Sequence, residues 1–438
     1  MKAFTRFFVN LCQKYMPDAY LFAVILTFLT FLLALGITGK GPVDIVKAWG
    51  DGLWGLLAFS MQMTMILVTG HAMASSPAIK GALRSIASIA KTPVQGIMLT
   101  VFVAGLANFI NWGFGLVVGA LLAREVARQI RGVDYALLVA AAYSGFVIWH
   151  GGISGSIPLA LASKGHIVEK QIGIIPVSQT IFSPYNLIIT GAIILTLPIL
   201  FRWIAKSKDD IIEIDPALLV EETAALVQTN LTPANRLENS KIITWVLCLM
   251  GFSYLIYHFT TKGFDLNLNI VISIFLFVGL LLHGTPISYV RAVNEAIKGA
   301  GGIAIQFPLY GGIQGIMVGT GLAGIIAKGF ISIATVKTFP LLTFLAGGII
   351  NFFVPSGGGQ WVVQGPINIP AALSLGVDPK VVAMSIAYGD QWTNMIQPFW
   401  ALPLLAIAKL GIRDIMGYCV MTLIWSGVII CLGLLFLV

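Results

Sequence analysis

Twice along this chain, about 242 to 245 residues apart, strongly apolar sequence is broken by the same punctuation. Ala104-Gly105-Leu106-Ala107-Asn108-Phe109 returns as Ala346-Gly347-Gly348-Ile349-Ile350-Asn351-Phe352. Behind each copy follow a glycine cluster, a Val-Asp pair (Val133-Asp134, Val377-Asp378), a tyrosine (Tyr143, Tyr388) and a proline (Pro158, Pro403). A nearly constant offset across so many landmarks marks an internal duplication. The duplication constrains the fold because irregular backbone inside a membrane survives only where it is buried in protein or lines a cavity. Paired breaks in two halves of a membrane chain point to a transporter's binding site.

That the chain lives in a membrane follows from composition. Hydrophobic residues make up 58%, charged residues 10%, and the mean hydropathy is +0.92, so 438 residues could not keep a soluble surface. Apolar runs over 19–36, 181–201, 242–257 and 416–438 are each long enough to cross a bilayer as a helix. The net charge of +8 is spread singly over loops, as membrane orientation requires, and excludes a nucleic-acid partner. Cys12, Cys248, Cys419 and Cys431 have neither disulfide nor zinc spacing, and no cofactor is implied. Lys2, Arg6 and Lys14 precede an apolar stretch too long for a signal peptide and without a small-x-small cleavage site, so a retained first span is expected.

The polar breaks predict an all-α membrane protein of two inverted-topology repeats, each with a re-entrant helical hairpin and a broken transmembrane helix. Residues 1–17 form a cytoplasmic N-terminus and 18–205 the first repeat. A polar cytoplasmic linker covers 206–241, a connecting span 242–258, and the second repeat 268–438. Within the first repeat, spans are expected at 18–36, 51–70 and 181–202, an interfacial helix at 71–92, a hairpin at 93–131 and a broken span at 135–163. A straight helix over those roughly 39 hairpin residues would reach about 58 Å, nearly twice the hydrocarbon thickness, so a turn at Asn108 to Gly115 fits better. The second repeat runs 268–284, 300–326, a hairpin at 340–376, a broken span at 381–408 and a last span at 414–438. With the N-terminus inside, 18 of the 26 Lys and Arg fall in cytoplasmic segments, the positive-inside bias. The single span at 242–258 then starts the second repeat on the opposite face, giving inverted repeats.

The second hairpin tip reads Pro355-Ser356-Gly357-Gly358-Gly359-Gln360. Three glycines free the backbone to approach a ligand, and the amides opening the second arm, from Gln360 onward, suit a carboxylate. A packing hinge is the plainer alternative. The first tip carries Asn108, Asn111 and Gly113. In the broken spans stand His150, Gly151 and Ser154, and, across the duplication, Asp390, Thr393 and Asn394. Asp390 is the clearest carboxylate at membrane depth and has to be protonated, paired or bound to a cation. His150 can bond a substrate carboxylate or relay a proton, or simply be satisfied by nearby backbone. Arg124 and Glu125 read as a surface pair, and Trp112, Trp149, Trp361, Trp392 and Trp400 as cavity walls or packing. Walker, Rossmann and His-Glu-x-x-His signatures are missing, so transport driven by an ion gradient or running downhill is expected, not catalysis.

Three motifs carry a resemblance: Val354 to Trp361, Gly389-Asp390-Gln391-Trp392-Thr393-Asn394-Met395-Ile396-Gln397-Pro398-Phe399-Trp400, and Trp149-His150-Gly151-Gly152. Together they resemble the short-chain fatty acid transporter family of the ion transporter superfamily, over nearly the whole chain. The resemblance implies uptake of short monocarboxylates such as butyrate or acetoacetate through the bacterial inner membrane, with an elevator-like mechanism. It also implies a site drawn from Asn108, Asn111, 150–156, 356–360 and 390–394. Sodium-using relatives often carry a Ser-Asn-Thr-type tip. This chain has Pro-Ser-Gly-Gly-Gly and Asn-Trp-Gly-Phe-Gly instead, which favours a proton over sodium as the coupling cation, with Asp390 its carrier. Expected partners are the monocarboxylate, that cation and the bilayer, with a homodimer left open. The rivals are a sodium-coupled dicarboxylate symporter and a membrane-embedded acyltransferase using His150; duplicated hairpins count against the second.

Overall fold

Helix starts are written plainly in this chain. Proline occupies the first turn at Pro42, Pro77, Pro93, Pro184, Pro286, Pro340 and Pro379, where its missing N–H has no intrahelical role. Side chains of Asp18, Thr92, Asn111, Asp134, Ser183, Asn267 and Asp378 accept first-turn amides. The computed structural model describes residues 2–205, 211, 232–263, 267–355 and 357–438, and among these every regular element is helical. Most of the expected linker at 206–241 therefore lies outside the described residues, as does Ser356.

In chain order the helices are α1 (Lys2–Tyr15), α2 (Ala19–Ile37), α3 (Pro42–Gly52), α4 (Leu57–Ala74), α5 (Pro77–Ala87), α6 (Pro93–Ile110), α7 (Trp112–Gln129), α8 (Tyr135–Ser144), α9 (Ser156–Leu161), α10 (Glu169–Ile172) and α11 (Pro184–Ile204). There follow α12 (Pro233–Glu238), α13 (Lys241–Lys262), α14 (Leu268–His283), α15 (Pro286–Ala296), α16 (Gly301–Gly319), α17 (Leu322–Ile331), α18 (Phe339–Phe353), α19 (Gly357–Leu375), α20 (Pro379–Thr393), α21 (Leu402–Ala408) and α22 (Ile412–Phe436). From α2 to α9 and from α14 to α21, the same order of helices recurs. Among the described residues, seven stretches are long and apolar enough to cross a bilayer, and one further pair is bent by 58° between Gly319 and Leu322. The bend falls at Gly321, whose φ of +79° only glycine adopts freely. The expected span at 300–326 is therefore two helices. The short helices α3 and α15 had no counterpart in the expected layout, and the interfacial helix shortens to α5.

Burial separates periphery from centre. Within an apolar window of 18 residues in Tyr135–Leu161, 89% are buried, against 22% in the corresponding windows of α2 and α13. Those two helices turn Phe28, Leu32, Ile242 and Leu249 outward, an apolar surface that only lipid or another membrane segment can cover. The halves interlock: α14 and α15 pack on α4, while α16 packs on α2 and α3. A second group forms around the breaks, where α6 packs on α7, α8 and α11, α18 packs on α20, and α22 packs on α8. The N-terminal helix α1 is not a free tail. It lies along α22, where a Cβ on Gly417 would come within 2.4 Å of the Val9 Cα.

Candidate functional site

Each broken helix crosses the first arm of the helix pair before it, and glycine permits the crossing each time. A Cβ on Gly145 would stand 2.6 Å from the backbone of Ala104 and Gly105 on α6. A Cβ on Gly389, at the equivalent place in the second half, would stand 2.4 Å from the Phe344 carbonyl oxygen and 2.7 Å from the Gly348 nitrogen on α18. Backbone-on-backbone crossings of this kind explain the duplicated Ala-Gly motifs. Past the crossing, α8 gives way to a 3₁₀ helix over Gly145–Gly151, and α20 to a 3₁₀ turn over Asn394–Ile396.

The two breaks are bonded to each other. Trp149 Nε1 donates to Asn394 Oδ1 at 2.9 Å and the Tyr143 hydroxyl to the Asn394 carbonyl at 2.8 Å. Gln391 Oε1 accepts the backbone amides of His150 (2.9 Å) and Gly151 (3.3 Å). Asn186 on α11 donates to the Gly151 carbonyl at 2.9 Å while accepting the Tyr388 hydroxyl at 2.8 Å. Inside this frame His150 Nε2 lies 3.3 Å from Asp390 Oδ1, and both side chains are fully buried. The contact is within ion-pair range but not aligned as a hydrogen bond, and neither Asp390 oxygen meets a well-aligned protein donor among the described residues. The two ionisable candidates of the sequence, 240 residues apart, are thus neighbours.

The second hairpin tip closes over this pair. A Cβ on Gly357 would lie 2.5 Å from both Cε1 and Nε2 of His150, so the tip backbone rests on the imidazole. The second arm begins at Gly357 rather than Gln360. Gly358, exposed, would meet nothing within 4 Å. Gly357 and Gly358 face a cavity of about 400 Å³, whose other walls include Ser154, Ser156, Phe59, Trp112 and Trp400. That volume is in the range of small-molecule sites. The first tip reaches the same cavity. Trp112 N–H donates to Ser154 Oγ at 3.0 Å, and Ile153 N–H to the Phe109 carbonyl at 2.7 Å. With its oxygen accepting from Trp112, the Ser154 hydroxyl retains a proton to donate.

Of the remaining candidates, six serve the frame. Asn108 donates to Ala104 O at 2.8 Å, and Asn111 caps α7 by accepting from Gly113 and Phe114. Gly113 abuts Ile66, which a Cβ would approach to 2.7 Å. Gln360 donates to Gly347 O and Gln364 Oε1, Thr393 donates to Gly348 O, and Asn394 receives Trp149. Gly359 lies in the first turn of α19. Arg124 and Glu125 are not a surface pair. Both are buried, with Arg124 donating to the Ile407 carbonyl and Glu125 paired with Arg84 and Arg128. Trp361 and Trp392 pack away from the cavity, Trp392 donating to Leu423 O. Sequence reasoning missed Phe59 and Asn186, took Tyr388 only as a landmark of the duplication, and held Gln391 within the implied 390–394 segment. Gln391 sits beside Asp390 in the same motif, whereas nothing local singles out Phe59. No group of three or more His, Cys, Asp or Glu side chains converges among the described residues.

A family model described as "Short chain fatty acid transporter" matches residues 1–437. The chain belongs to that family. It is 51% identical over 432 residues to the Escherichia coli (strain K12) protein named "Putative short-chain fatty acid transporter", covering 98% of each chain. A Haemophilus influenzae protein of the same name is 48% identical over 442 residues, covering 99% of each. Among solved structures, it is similar to the Alcanivorax borkumensis YdaH transporter (15% identity, TM-score 0.42, 95% of this chain and 98% of that one). It is also similar to Neisseria gonorrhoeae MtrF (16% identity, TM-score 0.34, 98% and 97%). Family membership and the apolar helices make the chain a multi-pass helical membrane transporter, not an enzyme, as a bacterial inner-membrane protein would be.

Proposed function

We propose that this transporter carries short-chain monocarboxylates together with a proton, using the His150–Asp390 pair and the adjoining cavity. One observation carries the reading: two fully buried ionisable groups, one from each half, lie 3.3 Å apart beneath a glycine that also lines the cavity. The substrate carboxylate is held by the Ser154 hydroxyl and the first-turn amides of α19, and its alkyl chain lies on the aromatic wall. Net charge in a water-poor site is expensive. A bound monocarboxylate adds one negative charge, and one proton taken up by the imidazole–carboxylate pair cancels it. Loading the site with both is therefore favoured over loading it with either, which is the thermodynamic basis of symport.

The same reading takes 18–205 and 268–438 as inverted repeats with re-entrant hairpins α6–α7 and α18–α19, and the N-terminus as cytoplasmic. The cross-bonded hairpins and broken helices move as one body against α2, α3, α4, α14, α15 and α16, in the manner of an elevator. Uptake of labelled butyrate into proteoliposomes, with pH and sodium gradients imposed separately, tests it. Accumulation is expected to follow the pH gradient without sodium. Asp390→Asn, nearly isosteric but unable to titrate, is expected to lose concentrative uptake and to keep butyrate exchange. Wild-type-like accumulation by Asp390→Asn, with sodium required, would make Asp390 structural and sodium the coupling ion.

A further inference from the structure

Resting on that assignment of the cavity, we propose that Phe59 sets the longest acyl chain the transporter accepts. Ser154, Ser156, Gly357 and Gly358 bring polar groups to the cavity from the chain breaks, while on the far side Gln62 and Asn269 bond each other at 2.9 Å beside Asn267. Phe59 comes from α4, in the other group of helices, and faces the same space. Two of its aromatic neighbours there are held fast. Trp112 and Trp400 are buried, their ring centroids 5.0 Å apart, with Trp149 6.1 Å from Trp112 and Phe399 5.3 Å from Trp400. Phe59 is only half-buried, and its ring runs parallel to Phe399 at 6.3 Å, 5.9 Å from Phe307 and edge-on to Trp400 at 5.8 Å. Phe307 and Phe399 behind it are fully buried. Removing the Phe59 ring therefore opens the cavity onto more apolar surface, whereas removing either tryptophan would undo the packing of the breaks. A carboxylate anchored at the breaks points its tail toward the far side, where Phe59 and Leu268 are the apolar lining, so the reach of the Phe59 ring limits tail length.

The test compares butyrate and hexanoate as substrates and as competitors of labelled butyrate in proteoliposomes. Each further methylene buried is worth about fourfold in affinity, so two give about fifteenfold. Phe59→Ala is expected to raise the hexanoate-to-butyrate preference up to about fifteenfold, and Phe59→Leu to raise it less. Phe59→Trp is expected to lower it, which keeps the test available if the alanine variant fails to accumulate. An unchanged preference in all three variants, in a chain whose wild type carries butyrate, overturns the role of Phe59 and leaves the transport reading standing. A shift caused by Leu159→Ala but by none of them also overturns it. Failure of the wild type to take up any monocarboxylate removes the transport reading itself, and this inference with it.

Discussion

A methyl group on Gly357 and one on Gly358 meet opposite fates, although the residues are neighbours in one triple-glycine tip. At Gly357 the added carbon would lie 2.5 Å from two ring atoms of His150, while at Gly358 it would enter open space. Gly357→Ala is expected to push the tip off the imidazole and reduce butyrate uptake at least tenfold in well-expressed protein. Gly358→Ala is expected to fold as wild type and to alter mainly the apparent KM, since its methyl group projects toward the cavity. Equal uptake by both variants would show that the tip does not seal the buried pair. His150→Gln supplies the complement. It keeps a buried polar side chain but cannot take up a proton, so it is expected to match Asp390→Asn in losing pH-driven accumulation. Chemical type alone could not have sorted these residues. Asn108, Asn111 and Asn394 belong to the same set of amides as a ligand-binding asparagine, yet one bonds its own helix, one caps the next and one ties the two breaks together. The contact between His150 and Asp390 joins residues 240 positions apart, and nothing in a single sequence encodes that distance.

At the scale of helices, the chain was most readable where physics acts locally. Proline and capping residues mark the starts, apolar length marks the spans, and Gly-rich breaks mark both hairpins. The α6–α7 turn falls at Asn111, and α18–α19 spans the expected 340–376 almost residue for residue. The short helices α3 and α15 were not legible, whereas α5, equally brief, was, because Lys80 and Arg84 mark a helical period there and α3 and α15 carry only one basic residue each. Their role became visible only in packing. Gly311, Gly315 and Gly319 stand four apart on α16, and a Cβ on Gly315 would lie 2.3 Å from the Ala48 carbonyl oxygen on α3. Gly315→Leu must therefore separate two backbones. Overpacking of this kind typically destabilises by about 1–3 kcal/mol, and the clash here is with backbone, which cannot rotate away. A lowered melting temperature in detergent is expected, together with reduced accumulation of folded protein. Gly324→Ala, which would meet the Ile367 side chain at 3.3 Å, is expected to be far milder. Equal melting temperatures for the two variants would mean that α3 and α16 separate without loss.

For the whole molecule, the proposed alternating access to one cavity rests on how the two hairpins are arranged. Trp112 at the first tip and Gly357 at the second line the same cavity, so the two tips meet there. The proposed inverted repeats would place the hairpin bases on opposite faces: Lys91 and Arg131 inside, Lys337 and Lys380 outside. The alternative, two hairpins entering from one face, would leave the second half's cations on the cytoplasmic side. It would also deprive alternating access of its symmetry-related second state. Cysteines placed singly at Lys91 and Lys380, after replacing Cys12, Cys248, Cys419 and Cys431, distinguish the two. An impermeant maleimide added to intact cells is expected to label position 380 at once and position 91 only after permeabilisation. Labelling of both positions from the same side would leave the recurring helix order as a parallel duplication, and an elevator built on inverted halves would have to be abandoned.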